Sequence, residues 1–158
     1  MVLGMCQTNC YFVYREDRKR AVVIDPADNG AQIYSALERN GFTVEAILLT
    51  HGHFDHIWGT NELREVSGAK IYALDEEKVL CEDVKNNLSA MVGRAYTVVP
   101  DEYVRNGDVL TFDNMDFKLA LSKVGVDMDE GVKYCGDVEY YKEILKISVE
   151  SYRDRYDK

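Results

Sequence analysis

Glu45-Ala46-Ile47-Leu48-Leu49-Thr50-His51-Gly52-His53-Phe54-Asp55-His56-Ile57-Trp58-Gly59 is the stretch on which the reading of this chain turns. Its first half is a continuous apolar run, the pattern of a strand buried on both faces. That strand leads straight into His51, and all three histidines of the chain fall between positions 51 and 56. Side chains two apart on an extended segment point the same way. His51, His53 and Asp55 are therefore expected on one side, with His56 pointing elsewhere. Imidazoles grouped with a carboxylate suit zinc, and also iron or manganese. His51, His53, Asp55 and His56 are the candidate metal ligands for one or two ions, and Asp55 is the candidate catalytic carboxylate.

Upstream, Tyr11-Phe12-Val13-Tyr14 and Ala21-Val22-Val23-Ile24 are short β-rich runs joined by a polar loop, Arg15 to Arg20. Pro26 stops the second run. Asp28 is placed to cap a helix that carries Ile33, Tyr34 and Leu37 on one face and stops at Gly41. Downstream, a helix is expected from about Ile57 through Val66, ending near Gly68, followed by a strand at Ile71-Tyr72-Ala73-Leu74. Up to Asp75 the order reads β-β-α-β-α-β. Asp75 is placed to cap a short helix through Leu80. Asn86 to Val98 reads as a loop anchored by Leu88, Met91 and Tyr96. Val109-Leu110-Thr111-Phe112 and Phe117-Lys118-Leu119-Ala120-Leu121 read as a hairpin about Asp113-Asn114.

The character changes from Asp127 onward. Tyr141, Ile144, Leu145, Ser148, Val149 and Tyr152 recur at helical spacing, opposite Glu139, Lys142, Glu143, Lys146 and Glu150. That is an amphipathic helix in need of a packing partner. The expected organisation is a metal-binding unit over 1–121 and a helical segment over 122–158.

Thr50 through Gly59 resembles the signature of metallo-β-lactamase-fold hydrolases. Gln7-Thr8-Asn9-Cys10-Tyr11 and Ala21-Val22-Val23-Ile24-Asp25-Pro26 resemble its glyoxalase II-like branch, from about Leu3 to Leu119. The resemblance implies an α+β fold, the N-terminal ββα half of an αββα sandwich, here followed by a C-terminal helical hairpin. It implies hydrolysis of a small-molecule thioester or ester, such as hydroxyacylglutathione, by a metal-activated water. His51 and His53 would bind a first metal, and Asp55 and His56 a second, with Asp25 as a supporting acid behind the ligands. Members of the family supply further ligands later in the chain: a third histidine for the first metal, a bridging aspartate and a late histidine. No histidine follows His56 here, and Ala120-Leu121-Ser122-Lys123-Val124-Gly125 stands where the next ligand segment is expected. Asp113, Asp116 and Asp127 are oxygen donors that could substitute. The inner face of the half sandwich needs a cover: the C-terminal helices, or a second copy of the chain in a homodimer. Val126 to Asp137, with Tyr140 to Leu145, resembles the opening helices of a histidine phosphotransfer domain; an ordinary helical hairpin fits the same residues. The join between Leu119 and Val124 reads as a fusion of two incomplete modules, natural or by a rearranged frame. The alternative to an enzyme is an inactive metal-binding remnant whose helical tail is a signalling or interaction module.

With 28 acidic against 19 basic residues and a net charge of -9, the chain has no basic stripe for nucleic acid and is repelled by anionic membranes. No apolar run approaches a membrane span, and no basic start precedes an apolar stretch at the N-terminus. The cytoplasm is the expected compartment. Cys6, Cys10, Cys81 and Cys135 match no zinc-knuckle or disulfide spacing, and read as reduced, mostly buried thiols. The functional alternative is that Cys6 or Cys10 approaches a metal, which nothing in the spacing requires.

Overall fold

The structure, a computed structural model, describes residues 1–119. The helical hairpin expected over 122–158, its phosphotransfer resemblance and Asp127 lie outside the described residues. In chain order the elements are β1 (Val2–Leu3), β2 (Thr8–Asn9), β3 (Tyr11–Tyr14), β4 (Arg20–Ile24), α1 (Gly30–Arg39), β5 (Thr43–Leu48), α2 (Phe54–Ile57), α3 (Thr60–Ser67) and β6 (Lys70–Leu74). A 3-10 turn (Asp75–Glu77) then runs into α4 (Lys78–Glu82), followed by β7 (Glu102–Val104), β8 (Val109–Phe112) and β9 (Met115–Lys118). This is the α+β architecture expected. No helix among the described residues is long and apolar enough to cross a membrane.

Five strands form the central sheet in the order β3-β4-β5-β6-β7. β3 runs antiparallel to β4, and the pairs β4–β5, β5–β6 and β6–β7 are parallel. The apolar run of the opening stretch is the middle strand, β5, which explains why it does not alternate. Its two faces serve two layers. Val44, Ile47 and Leu49 join Ala21, Val23, Ile71 and Ala73 beneath Ile33 and Leu37 of α1 and Leu63 of α3. Ala46 and Leu48 face the other way with Val22. The register against β4 slips between Ala21–Val44 and Val22–Ala46, leaving Glu45 as an extra residue. That bulge carries Val44 onto the helix side without breaking the alternation beyond it.

The second face is not left open as the sequence suggested. Leu110, Phe112 and Phe117 of the β8–β9 hairpin, with Leu119, pack against Val22, Ala46, Leu48, Ile24 and Tyr72. Asp113 and Asn114 turn the hairpin with φ of 49° and 62°. Paired left-handed residues are what a two-residue turn of this hand needs, and Asp and Asn tolerate them best after glycine.

Several boundaries differ from the sequence reading. Asn29, not Asp28, is the N-cap of α1, and it makes no side-chain cap bond. Asp28 instead accepts from the Asn29 backbone N–H and from Arg94. The helix expected over 57–66 starts three residues later, as α3, after the separate short helix α2 has ended at Ile57; between them the Gly59 N–H bonds the Pro26 carbonyl, and a Cβ at Gly59 would sit 2.8 Å from that oxygen. Asp75 lies inside the 3-10 turn rather than capping it. Met91 is exposed, whereas Leu88 and Tyr96 do anchor their loop. β7 went unread because three residues are too short to show a period. The stop at Gly41 is as expected: its N–H bonds the Glu38 carbonyl and the next N–H bonds that of Leu37, with φ of 77° at the glycine.

Candidate metal centre

The centre lies where β4 and β5 end side by side. Ligand-bearing residues in parallel sheets collect at the carboxyl ends of the strands, where the chain is released into loops. Asp25 follows β4 directly, with φ of 50°, and its backbone N–H bonds the Leu48 carbonyl of β5. Its carboxylate is 4% exposed. It accepts the Thr50 backbone N–H at 2.8 Å, the Thr50 hydroxyl at 2.6 Å and His56 Nδ1–H at 2.9 Å.

These contacts fix two imidazole tautomers. The Thr50 hydroxyl has one hydrogen, and an ionised carboxylate can only accept, so that hydrogen goes to Asp25. Thr50 Oγ1 therefore accepts from His51 Nδ1, 3.0 Å away. Asp25 thus holds His56 directly and His51 through Thr50, and both rings keep Nε2 clear of these anchors. A carboxylate or hydroxyl behind the far ring nitrogen is the usual support of a ligating histidine.

The three rings converge: the His51 centroid lies 4.9 Å from that of His53 and 4.0 Å from that of His56. Burial, then the neighbouring His56 and His53, push the His51 pKa well below the ordinary 6.5. His51 is therefore the neutral, lone-pair-bearing form near neutral pH. His56 behaves oppositely. Burial opposes its charge, but Asp55 and then Asp25 outweigh burial and raise its pKa to about 9.

Two expectations about direction are corrected here. Asp55 does not continue an extended segment after His53; it sits in the first turn of α2, with His53 as N-cap. His56 does not point away, since its Nε2 lies 3.5 Å from Asp55 Oδ2 and its ring tilts onto His51. The His51 ring thus neighbours those of His53 and His56, and His56 neighbours Asp55. Their donor set, three imidazoles and a carboxylate, fits a divalent transition metal. Among the described residues no group of three or more His, Cys, Asp or Glu side chains stands ready-made to hold a metal ion.

Other candidates have different partners. Asp113 faces Arg18 at 3.8 Å, and Asp116 accepts the Thr111 hydroxyl at 2.7 Å. Cys10 is a core residue, 1% exposed, and burial pushes its thiol up to about 12. Three contributors escaped the sequence reading of the site. Thr50 orients His51. Thr8 donates its hydroxyl to Asp55 Oδ2 at 2.8 Å from 47 residues away. Glu77 accepts the Gly52 backbone N–H at 3.1 Å. Thr50 and Thr8 stood inside quoted motifs, but nothing in the spacing gave their hydroxyls a task. Gly52 itself is a packing requirement, because a Cβ there would lie 2.6 Å from the Cys81 backbone nitrogen.

Residues 3–122 match the Metallo-beta-lactamase superfamily. The chain belongs to that superfamily. Among its relatives is the probable metallo-hydrolase YqgX of Bacillus subtilis, 36% identical over 109 residues, covering 68% of this chain and 51% of that protein. The hydroxyacylglutathione hydrolase GloC of Haemophilus influenzae is 25% identical over 142 residues, covering 84% of this chain and 66% of that protein. Among solved structures, the BLEG-1 B3 metallo-beta-lactamase superposes with a TM-score of 0.68 at 35% identity, covering 74% of this chain and 57% of that one. TTHA1623, solved in a di-iron-bound form, gives 0.60 at 28%, covering 70% and 55%. This superfamily member spans about half the length of the first curated relatives it matches.

Proposed function

We propose that this chain carries the N-terminal part of a metal-dependent hydrolase site that acts on a small-molecule thioester or ester. The reading is carried by the Asp25 carboxylate, which holds Nδ1 of His56 directly and Nδ1 of His51 through Thr50. It is supported by the names of the relatives, a metallo-hydrolase and a hydroxyacylglutathione hydrolase. His51, His53, Asp55 and His56 would hold one or two ions of zinc, iron or manganese. Such a metal supplies hydroxide near neutral pH and polarises a carbonyl.

The protein's own part is orientation and proton handling. Asp25 and Thr50 set the imidazole tautomers. The Asp55 carboxylate, with Oδ2 fixed by Thr8, is placed to take a proton from an attacking water. The side chains of His56 and Asp55 remain 23% and 22% exposed, so solvent and a small substrate reach them. We assign the ligands beyond these four to oxygen donors elsewhere in the chain or to a second copy.

The test is metal content, mass and turnover on one sample. Purified protein is loaded with zinc, iron(II) or manganese, and hydroxyacylglutathione cleavage is followed by thiol release. Metal uptake with thiol release, both lost in His53→Ala, is the expected result. Uptake with no turnover on any ion sinks the hydrolase assignment, and no uptake sinks the metal site as well. The mass of the loaded species separates a self-sufficient chain from a dimer.

A further inference from the structure

The centre holds two acids, and each is gripped by a threonine. Asp25 Oδ2 accepts the Thr50 hydroxyl at 2.6 Å, and Asp55 Oδ2 accepts the Thr8 hydroxyl at 2.8 Å. His56 lies between them, with Nδ1 on Asp25 Oδ2 and Nε2 3.5 Å from Asp55 Oδ2. Thr50 is local to its acid, at the end of the strand beside it. Thr8 is not local: it arrives on the N-terminal β1–β2 ribbon, where it pairs with Leu3.

The chain is shaped to deliver it. Gln7, just before Thr8, has φ of 56°, a region costly for a residue that is neither glycine, Asn nor Asp. After the ribbon, the Cys10 N–H bonds the Met1 carbonyl at 2.8 Å, and Cys10 is sunk in the core. Thr8 is itself buried, though its hydroxyl would be satisfied at no cost in solvent. A buried hydroxyl aimed at one oxygen of a partly exposed carboxylate restricts how that carboxylate turns.

We propose that Thr8 is a positioning residue for the metal centre: its hydroxyl fixes the rotation of the Asp55 carboxylate, so that the carboxylate would be presented to a bound cation in one orientation. The proposal rests on the reading of Asp55 as a metal ligand, but the contact itself does not. Thr8 acts through Asp55 and touches neither substrate nor metal. A carboxylate free to rotate offers its oxygens to the cation only part of the time, which weakens the site without unfolding it.

The experiment uses the full chain with Thr8→Val, which keeps the shape and deletes the hydroxyl, and Thr8→Ser, which keeps the hydroxyl. Zinc affinity is measured by competition with a chromophoric chelator. Thr8→Val is expected to weaken binding about 10–100-fold, the range for lost support of a ligand, while Thr8→Ser stays within about threefold of the parent. Equal affinity in Thr8→Val and parent overturns the proposal. Equal losses in Val and Ser overturn it too, because packing rather than the hydroxyl would then matter. A metal-free arm separates this from the hydrolase reading. With chelator present, urea unfolding of Thr8→Val, Asp55→Asn and the double variant gives the coupling between the two side chains. Coupling of about twofold or more in the unfolding constant is expected for a real contact. A parent that takes up no zinc overturns the role in the metal centre even if coupling is present, and absent coupling removes the contact itself.

Discussion

Asp25 does more for the centre than any candidate ligand, because one carboxylate, itself nearly closed to solvent, collects three donors. Asp25→Asn keeps the size but replaces one acceptor oxygen by an NH2 donor, which must then face a Thr50 or His56 donor. The orientation of both rings is lost together. Zinc affinity, by chelator competition, is expected to fall about 10–100-fold, with the helical circular dichroism signal retained. The thiols give a contrasting prediction. Burial raises Cys10 and Cys81 to about 12. A raised thiol pKa leaves roughly one thiolate in ten thousand at pH 8. Neither should be alkylated at pH 8 in the folded protein, and both should react once urea unfolds it, as mass spectrometry of tryptic peptides would record. Labelling of Cys10 in the native state would contradict its place in the core.

The elements show why the motif was legible and its surroundings less so. The histidine cluster is contiguous, so its chemistry could be read from spacing alone. Its geometry could not, since Gly52 and Gly59 are where other segments press against the motif: Cys81 at one, Pro26 and Asp28 at the other. The long-range hydroxyl of Thr8 and the carboxylate of Glu77 are invisible for the same reason. Glycines therefore test the arrangement of elements. At Gly30 a Cβ would run into the backbone of Gly59 and Leu63, where α1 crosses α3. Gly30→Ala should destabilise by about 2–3 kcal/mol, the cost of forcing backbone apart. Gly41→Ala meets nothing within 4 Å and only suffers its left-handed φ of 77°, so about 1 kcal/mol is expected. Urea unfolding of the two variants decides it: an order reversed from this one would mean that α1 and α3 are not held at the contact described.

On the scale of the molecule, the two faces of the central sheet are unequally finished. The helix side is a closed core: Ile47 and Ile71 are fully buried beneath α1 and α3. The other side rests on a two-stranded hairpin whose Leu110, Phe112 and Phe117 stay only partly buried. The sequence foresaw an uncovered face because the chain reads as one half of a sandwich; the alternation of Leu110, Phe112, Phe117 and Leu119 marks an apolar face but not the surface it packs on. Partial cover has an energetic signature. A side chain already half in water loses less when truncated, since both the transfer and the cavity contributions shrink. Ile71→Ala should therefore cost about 3–4 kcal/mol, whereas Phe117→Ala, although the larger deletion, should cost about 1–2 kcal/mol. Chemical denaturation of residues 1–158 reads both. If Phe117→Ala proves as costly as Ile71→Ala, something beyond the β8–β9 hairpin seals that face in solution. Repeating the measurement across a hundredfold range of protein concentration then identifies the cover, because a second copy makes the cost depend on concentration and a segment of the same chain does not.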